Sequence, residues 1–268
     1  MDHEDFSAEA VNQRLSAKKN GEPFGSNSSV GLLDDEGWTI FNYPTLNTEQ
    51  QNKLNKLDRF VQFFNRVNSA ICQRPVVVRT AHLDMPAPAW SSASDITFNS
   101  KHIEDLKSHK EIANLYGLDL HEVSHILYSA RVGSDLWTWV ENEKVFNAYN
   151  ALDDQRIETF FTTRYPSSIK WFTTTILNYF VDKKSALDTS YALLRGRGYL
   201  PADILELSRS SFVKPEILDE LCQIIDDYKV LVFPTDFELA KPLIKRYSEL
   251  MNDLVGHSQN PDFVVRVI

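Results

Sequence analysis

The chain has 268 residues, of which 43% are hydrophobic and 24% charged, with a formal net charge of −9 and a pI of about 5.3. This composition suits a globular protein with a sizeable core. It lacks the basic field that draws nucleic acid or an anionic membrane, so neither is an expected partner. Cys72 and Cys222 are too few for a disulfide framework and form no Cys-x-x-Cys site, and the acidic start Met1-Asp2-His3-Glu4-Asp5 carries no export signal, so the expected location is cytoplasmic.

Residues 1–45 are polar, with Gly21, Gly25, Gly31, Gly37 and the run Ser26-Asn27-Ser28-Ser29, and read as a flexible N-terminal segment. Trp38, Ile40, Phe41 and Tyr43 are its candidate anchors, and an alternative lays the segment across the active site as an inhibitor. Thr48-Glu49-Gln50-Gln51 reads as a capping box opening a helix to about Ala70. Its apolar stripe is Leu54, Leu57, Phe60, Val61, Phe64 and Val67.

Pro75 to Thr80 is the strongest strand pattern, and Asp95 to Asn99 a second, shorter one. The second is either a plain edge strand or the edge along which an extended substrate lies. Ser100 caps a predicted short helix over 101–109, with His102 and His109 solvated among charges. A helix within 110–130 follows, with Gly117 as a break ahead of its apolar part, and Gly133-Ser134-Asp135 turns the chain. A helix over 140–164 ends at Pro166, and further helices are predicted at 167–182, 184–195, 201–208, 215–230 and 235–254. The fold expected is α+β and mostly helical, with a small sheet and a C-terminal helical part. Its divisions are a segment over 1–45, a core over 46–165 and a helical subdomain over 166–268.

The chemistry concentrates in His121-Glu122-Val123-Ser124-His125. On a helix His121 and His125 project from one face, so two imidazoles can hold one Zn²⁺ while Glu122 stands beside it as a general base. Composition alone produces such a pattern about 0.01 times in a chain of this kind, so chance is a poor explanation. Leu118, Leu120, Val123, Ile126 and Leu127 surround the motif, which puts its polar groups in a half-buried setting where they need partners.

A hydrolytic zinc site takes a third protein ligand and leaves a position for water. Asn150-Ala151-Leu152-Asp153-Asp154-Gln155-Arg156-Ile157-Glu158 places adjacent acids on an otherwise apolar helix, with Asn150, Asp154 and Glu158 on one face. One acid is a candidate ligand and another a candidate acceptor for the far nitrogen of a ligand histidine. The bland alternative is an acidic face with Arg156 paired to Asp153.

The stretch Gly117 to His125, followed by Asn150-x-Leu-Asp-Asp-x-Arg-x-Glu, resembles the metallopeptidase domain found with von Willebrand factor A domains. That family includes the cobaltochelatase CobT-like proteins, and some phage-encoded proteins look similar. The resemblance covers roughly residues 110–165. It implies a zincin-like metallopeptidase core, a zinc cofactor and a peptide or protein substrate, with a von Willebrand factor A-type domain either a separate partner or absent. The spacing of the related gluzincin peptidases implies Asp154 as third ligand with Glu158 behind a histidine, and Asp153 as the alternate ligand. Asp153 stands where the family commonly has Glu, and no Asp-x-Ser-x-Ser sequence is present.

The function expected is zinc-dependent peptide hydrolysis, with His121, His125 and Asp154 on the metal, Glu122 as base, and Asn150 and Glu158 in support. Tyr149, Arg156 and Tyr165 are the candidate oxyanion donors. Cleavage of a non-peptide amide is not separated from this by sequence. The alternative is a metal-stabilised, non-catalytic scaffold working with a separate partner.

Overall fold

The structure is a computed structural model that describes residues 32–33, 39–40, 48–82, 87–103, 105–178, 196–200, 202, 205 and 215–256. The chain divides into two units, Met1–Leu46 and Asn47–Ile268. In the first, β1 (Leu32–Leu33) pairs antiparallel with β2 (Thr39–Ile40). The inhibitory-segment reading falls on residues outside those described, as does nearly all of the helices predicted over 184–195 and 201–208.

In the second unit α1 (Thr48–Cys72) turns Leu54, Leu57, Val61 and Phe64 inward, all at most 5% exposed, while Phe60 and Val67 are only half-buried. The next strands are β3 (Val77–Ala81), β4 (Ala89–Ser91) and β5 (Asp95–Asn99), in the spatial order β3-β5-β4. β5 runs parallel to β3 and antiparallel to β4. This corrects the expectation of an edge strand at 95–99: β5 is central, and both of its backbone edges are occupied. β4 begins directly after Pro88. Ile96 and Phe98 are both fully buried, and Phe98 meets Phe64 of α1 at 5.8 Å between ring centroids.

No helix forms over 101–108 among the described residues: 100–103 turn, and 105–107 have no regular structure, with Leu106 at φ 55°. Ser108 instead caps α2 (His109–Tyr128), its Oγ accepting from the Glu111 N–H while the Glu111 carboxylate accepts from the Ser108 N–H. Gly117 lies inside α2 rather than at a break. A Cβ there would sit 1.8 Å from Thr175 Oγ1 and 2.5 Å from the Trp171 carbonyl oxygen, so the glycine is what lets the later helix α5 lie against α2.

The predicted helix at 140–164 is two helices, α3 (Asp135–Glu143) and α4 (Phe146–Arg164), separated where Lys144 adopts φ 57°. Beyond Pro166 a short 3₁₀ turn leads to α5 (Ile169–Ile176), and α6 (Pro215–Tyr228) and α7 (Phe237–Gly256) complete the described elements. One apolar cluster joins Leu136 and Val140 of α3, Leu152 of α4, Leu221 and Ile225 of α6, and Ile244 and Tyr247 of α7. It crosses the 165/166 boundary drawn from sequence, so α3 and α4 share a core with the C-terminal helices. The described fold is mostly helical with one three-stranded sheet. None of its helices is long and apolar enough to cross a membrane.

Candidate metal centre

α2 and α4 carry the site. His121, Glu122 and Ser124 are buried on α2. On α4 every residue from Ala151 to Glu158 is buried, including Asp153, Asp154, Gln155, Arg156 and Glu158. A helix turn this polar survives burial only if its groups find partners. Gln155 Nε2 has no hydrogen-bond partner among the described residues; the others divide into two sets, one facing the histidines and one facing the C-terminal helices.

The first set gathers His121, His125 and Asp154 so that one donor atom from each lies within 4.8 Å of the others. His121 Nε2 and His125 Nε2 are 3.2 Å apart, and Asp154 Oδ1 is 3.2 Å from His125 Nε2 and 3.6 Å from His121 Nε2. A tetrahedral zinc with bonds of about 2.0–2.1 Å holds its donors about 3.3–3.4 Å apart, and the three separations bracket that value. Two imidazoles and a carboxylate are also the donor chemistry that zinc favours. The residues present therefore fit the metal. His121 and Asp154 side chains are 2% and 0% exposed against 18% for His125, so the donor set opens to solvent on the His125 side.

Behind the donors, each histidine is held by its other nitrogen. His121 Nδ1 lies 2.8 Å from Glu158 Oε1, and Glu158 Oε2 accepts from the Tyr199 hydroxyl at 2.5 Å. His125 Nδ1 lies 2.8 Å from Ser129 Oγ. The Asn150 amide donates to Asp154 Oδ1 at 3.5 Å. Burial alone would lower the His125 pKa, but the hydrogen bond and charge of Asp154, with Glu122 and Asp153, raise it to about 9. Glu122, 3% exposed, is near enough that its charge also acts on Asp119. Burial pushes the Asp119 carboxyl well above its ordinary range, against the lowering effect of the Asn68 amide that donates to it at 2.8 Å.

The second set places Asp153 away from the donor atoms. Its Oδ1 accepts from Arg156 Nε at 3.0 Å and Nη2 at 2.8 Å, and its Oδ2 from Ser129 at 2.5 Å and Tyr149 at 3.4 Å. Asp153, the alternate ligand from sequence, is thus occupied elsewhere. The same contacts correct two of the candidate oxyanion donors. Tyr149 and Arg156 are 3% and 1% exposed and serve Asp153, not an open site. Tyr165 lies two turns beyond Glu158, against Phe161 at 4.9 Å, and is not brought to the donors. Ser129 and Tyr199 take supporting positions that the sequence reading did not assign.

No family model, curated protein or solved structure matches the chain.

Proposed function

We propose that this protein is a zinc-dependent metallopeptidase with a zincin-like core. The observation that carries the reading is the triangle of His121 Nε2, His125 Nε2 and Asp154 Oδ1, with Glu122 on the same helix between the two histidines. Zinc held by these three atoms supplies Lewis acidity that polarises a carbonyl and acidifies water at the site. Glu122 takes the proton from the attacking water and delivers it to the departing amine, which keeps the nitrogen from leaving as an anion. Glu158 and Asn150 hold His121 and Asp154 in position while this happens. β4 pairs on one side only among the described residues, and an extended peptide adding to its other side would run beside α2.

The test is the metal content of the purified protein by elemental analysis, with His121→Ala and Glu122→Gln in parallel. About one zinc per chain is expected in the wild type and in Glu122→Gln, with loss in His121→Ala. Cleavage of a peptide library by the wild type should fall by roughly 10²-fold or more in Glu122→Gln. A folded wild type that refuses added zinc overturns the reading. Zinc bound without turnover on any peptide moves the protein to the scaffold class.

A further inference from the structure

We propose that Ser129 is a positioning residue for His125, the middle of a partly buried relay running His125–Ser129–Asp153–Arg156 to the corner between α6 and α7. The inference rests on His125 being a metal ligand and adds how that ligand is held. Asp153 Oδ2 is 3.9 Å from His125 Nδ1, too far for a hydrogen bond, and the Ser129 hydroxyl fills the gap at 2.5 Å and 2.8 Å. Ser129 ends α2 in extended geometry, its N–H bonded to the His125 carbonyl, so its side chain is carried back beneath the ring of the residue four before it.

The chain of donors has one direction. Arg156 presents two N–H groups to Asp153 Oδ1, which marks Asp153 as an ionised acceptor. Ser129 has a single proton and gives it to Oδ2. Its oxygen can then only accept from His125, so Nδ1 keeps its hydrogen, and Nε2, the atom facing His121 and Asp154, is the one that gives a lone pair to a metal once its own proton is displaced. His121 gets the same tautomer directly from Glu158. The two histidines are thus oriented by different means, one by a carboxylate and one by a carboxylate acting through a hydroxyl.

Arg156 anchors the far end. Its Nη2 donates to the Tyr128 carbonyl, one of the carbonyls that the end of α2 leaves without a helical partner, and its Nη1 to the Leu231 carbonyl at 3.4 Å. Its guanidinium lies 3.8 Å from the centre of the Phe233 ring. Leu231 and Phe233 belong to the connection between α6 and α7. The C-terminal helices therefore reach His125 through three side chains, Arg156, Asp153 and Ser129, and the same clamp keeps Asp153 off the donor set.

The test compares wild type, Ser129→Ala and Ser129→Thr, with circular dichroism and thermal melts as the check on folding. Zinc affinity is read by competition with a chromophoric chelator, and the imidazole tautomers by long-range ¹H–¹⁵N NMR. Ser129→Ala should still bind one zinc but roughly 10–100-fold more weakly. Its His125 Nδ1–H signal, protected in wild type, should exchange with solvent, while His121 is unchanged. Ser129→Thr keeps the hydroxyl and should restore both readouts. Ser129→Ala binding zinc within about threefold of wild type with the Nδ1–H signal intact overturns the relay, and so does Ser129→Thr behaving like Ser129→Ala. If the wild type takes no zinc, the metallopeptidase reading fails separately. The relay is then judged on the metal-free protein, by whether the protected Nδ1–H is present in wild type and Ser129→Thr and lost in Ser129→Ala.

Discussion

At His125 two effects oppose each other, and the charges win. Burial favours the neutral ring, yet Asp154, Glu122 and Asp153 lift its pKa from 6.5 to about 9. The metal-free protein therefore holds an imidazolium here at neutral pH. A raised folded-state value stabilises fully below the unfolded value of about 6.5 and is lost as pH rises through about 9. Zinc requires the lone pair and displaces that proton, so its affinity should climb about tenfold per pH unit up to about pH 9 and then level off. Chelator competition between pH 6.5 and 9.5 measures this, and a flat profile contradicts it. Melts of the metal-free protein over the same range should lose stability as pH rises. His121 and His125 were readable from sequence because a four-residue step on a helix fixes a shared face, with Glu122 adjacent to the first. Ser129 continues that step by four, a signal the motif itself overshadowed. Tyr199 is 41 residues from Glu158, and no local pattern joins them.

The helix pair α2–α5 turns on Gly117. Read locally, a glycine ahead of an apolar run is a breaker. In the fold it is a close-contact position, because α5 brings Thr175 and the Trp171 carbonyl into the space a side chain would fill. Gly117→Ala should destabilise by about 1–3 kcal/mol or more through overpacking, despite the better helix propensity of alanine, seen as a lower midpoint in urea. Adding Thr175→Ala should recover only part, since the backbone carbonyl stays. Unchanged stability in Gly117→Ala would refute the close approach. The strands show a similar limit. The pattern over 95–99 was legible as a strand, but its central place was not, because the three-residue β4 occupies its other edge and is too short for alternation to register.

Over residues 47–268 the candidate metal donors and the apolar cluster are not separable. α4 carries Asp154 toward the histidines and Leu152 into the cluster with α6 and α7. Zinc should therefore raise the stability of the whole unit, by about 2.7 kcal/mol when free zinc is 100-fold above its Kd. Chelator-treated protein should melt at a lower temperature in one transition, at the same midpoint by tryptophan fluorescence and by far-ultraviolet circular dichroism. Two transitions, with only one moved by zinc, would mean that the C-terminal helices fold apart from the site.

Sequence by itself determined the chemistry of the motif helix: which residues share its face, and which acids on a later helix have the spacing to meet it. It also carried the mostly helical class, the first helix and the two longer strands of the sheet, since these depend on local periodicity. Only the tertiary structure decided which of the adjacent acids faces the histidines. Asp153 and Asp154 are one residue apart and so about 100° apart around α4, and the choice depends on what lies on each side. Arg156, Ser129 and the α6–α7 corner claim one carboxylate, and the two imidazoles face the other. Those partners come from three separate parts of the chain, and long-range packing, not local pattern, brings them together.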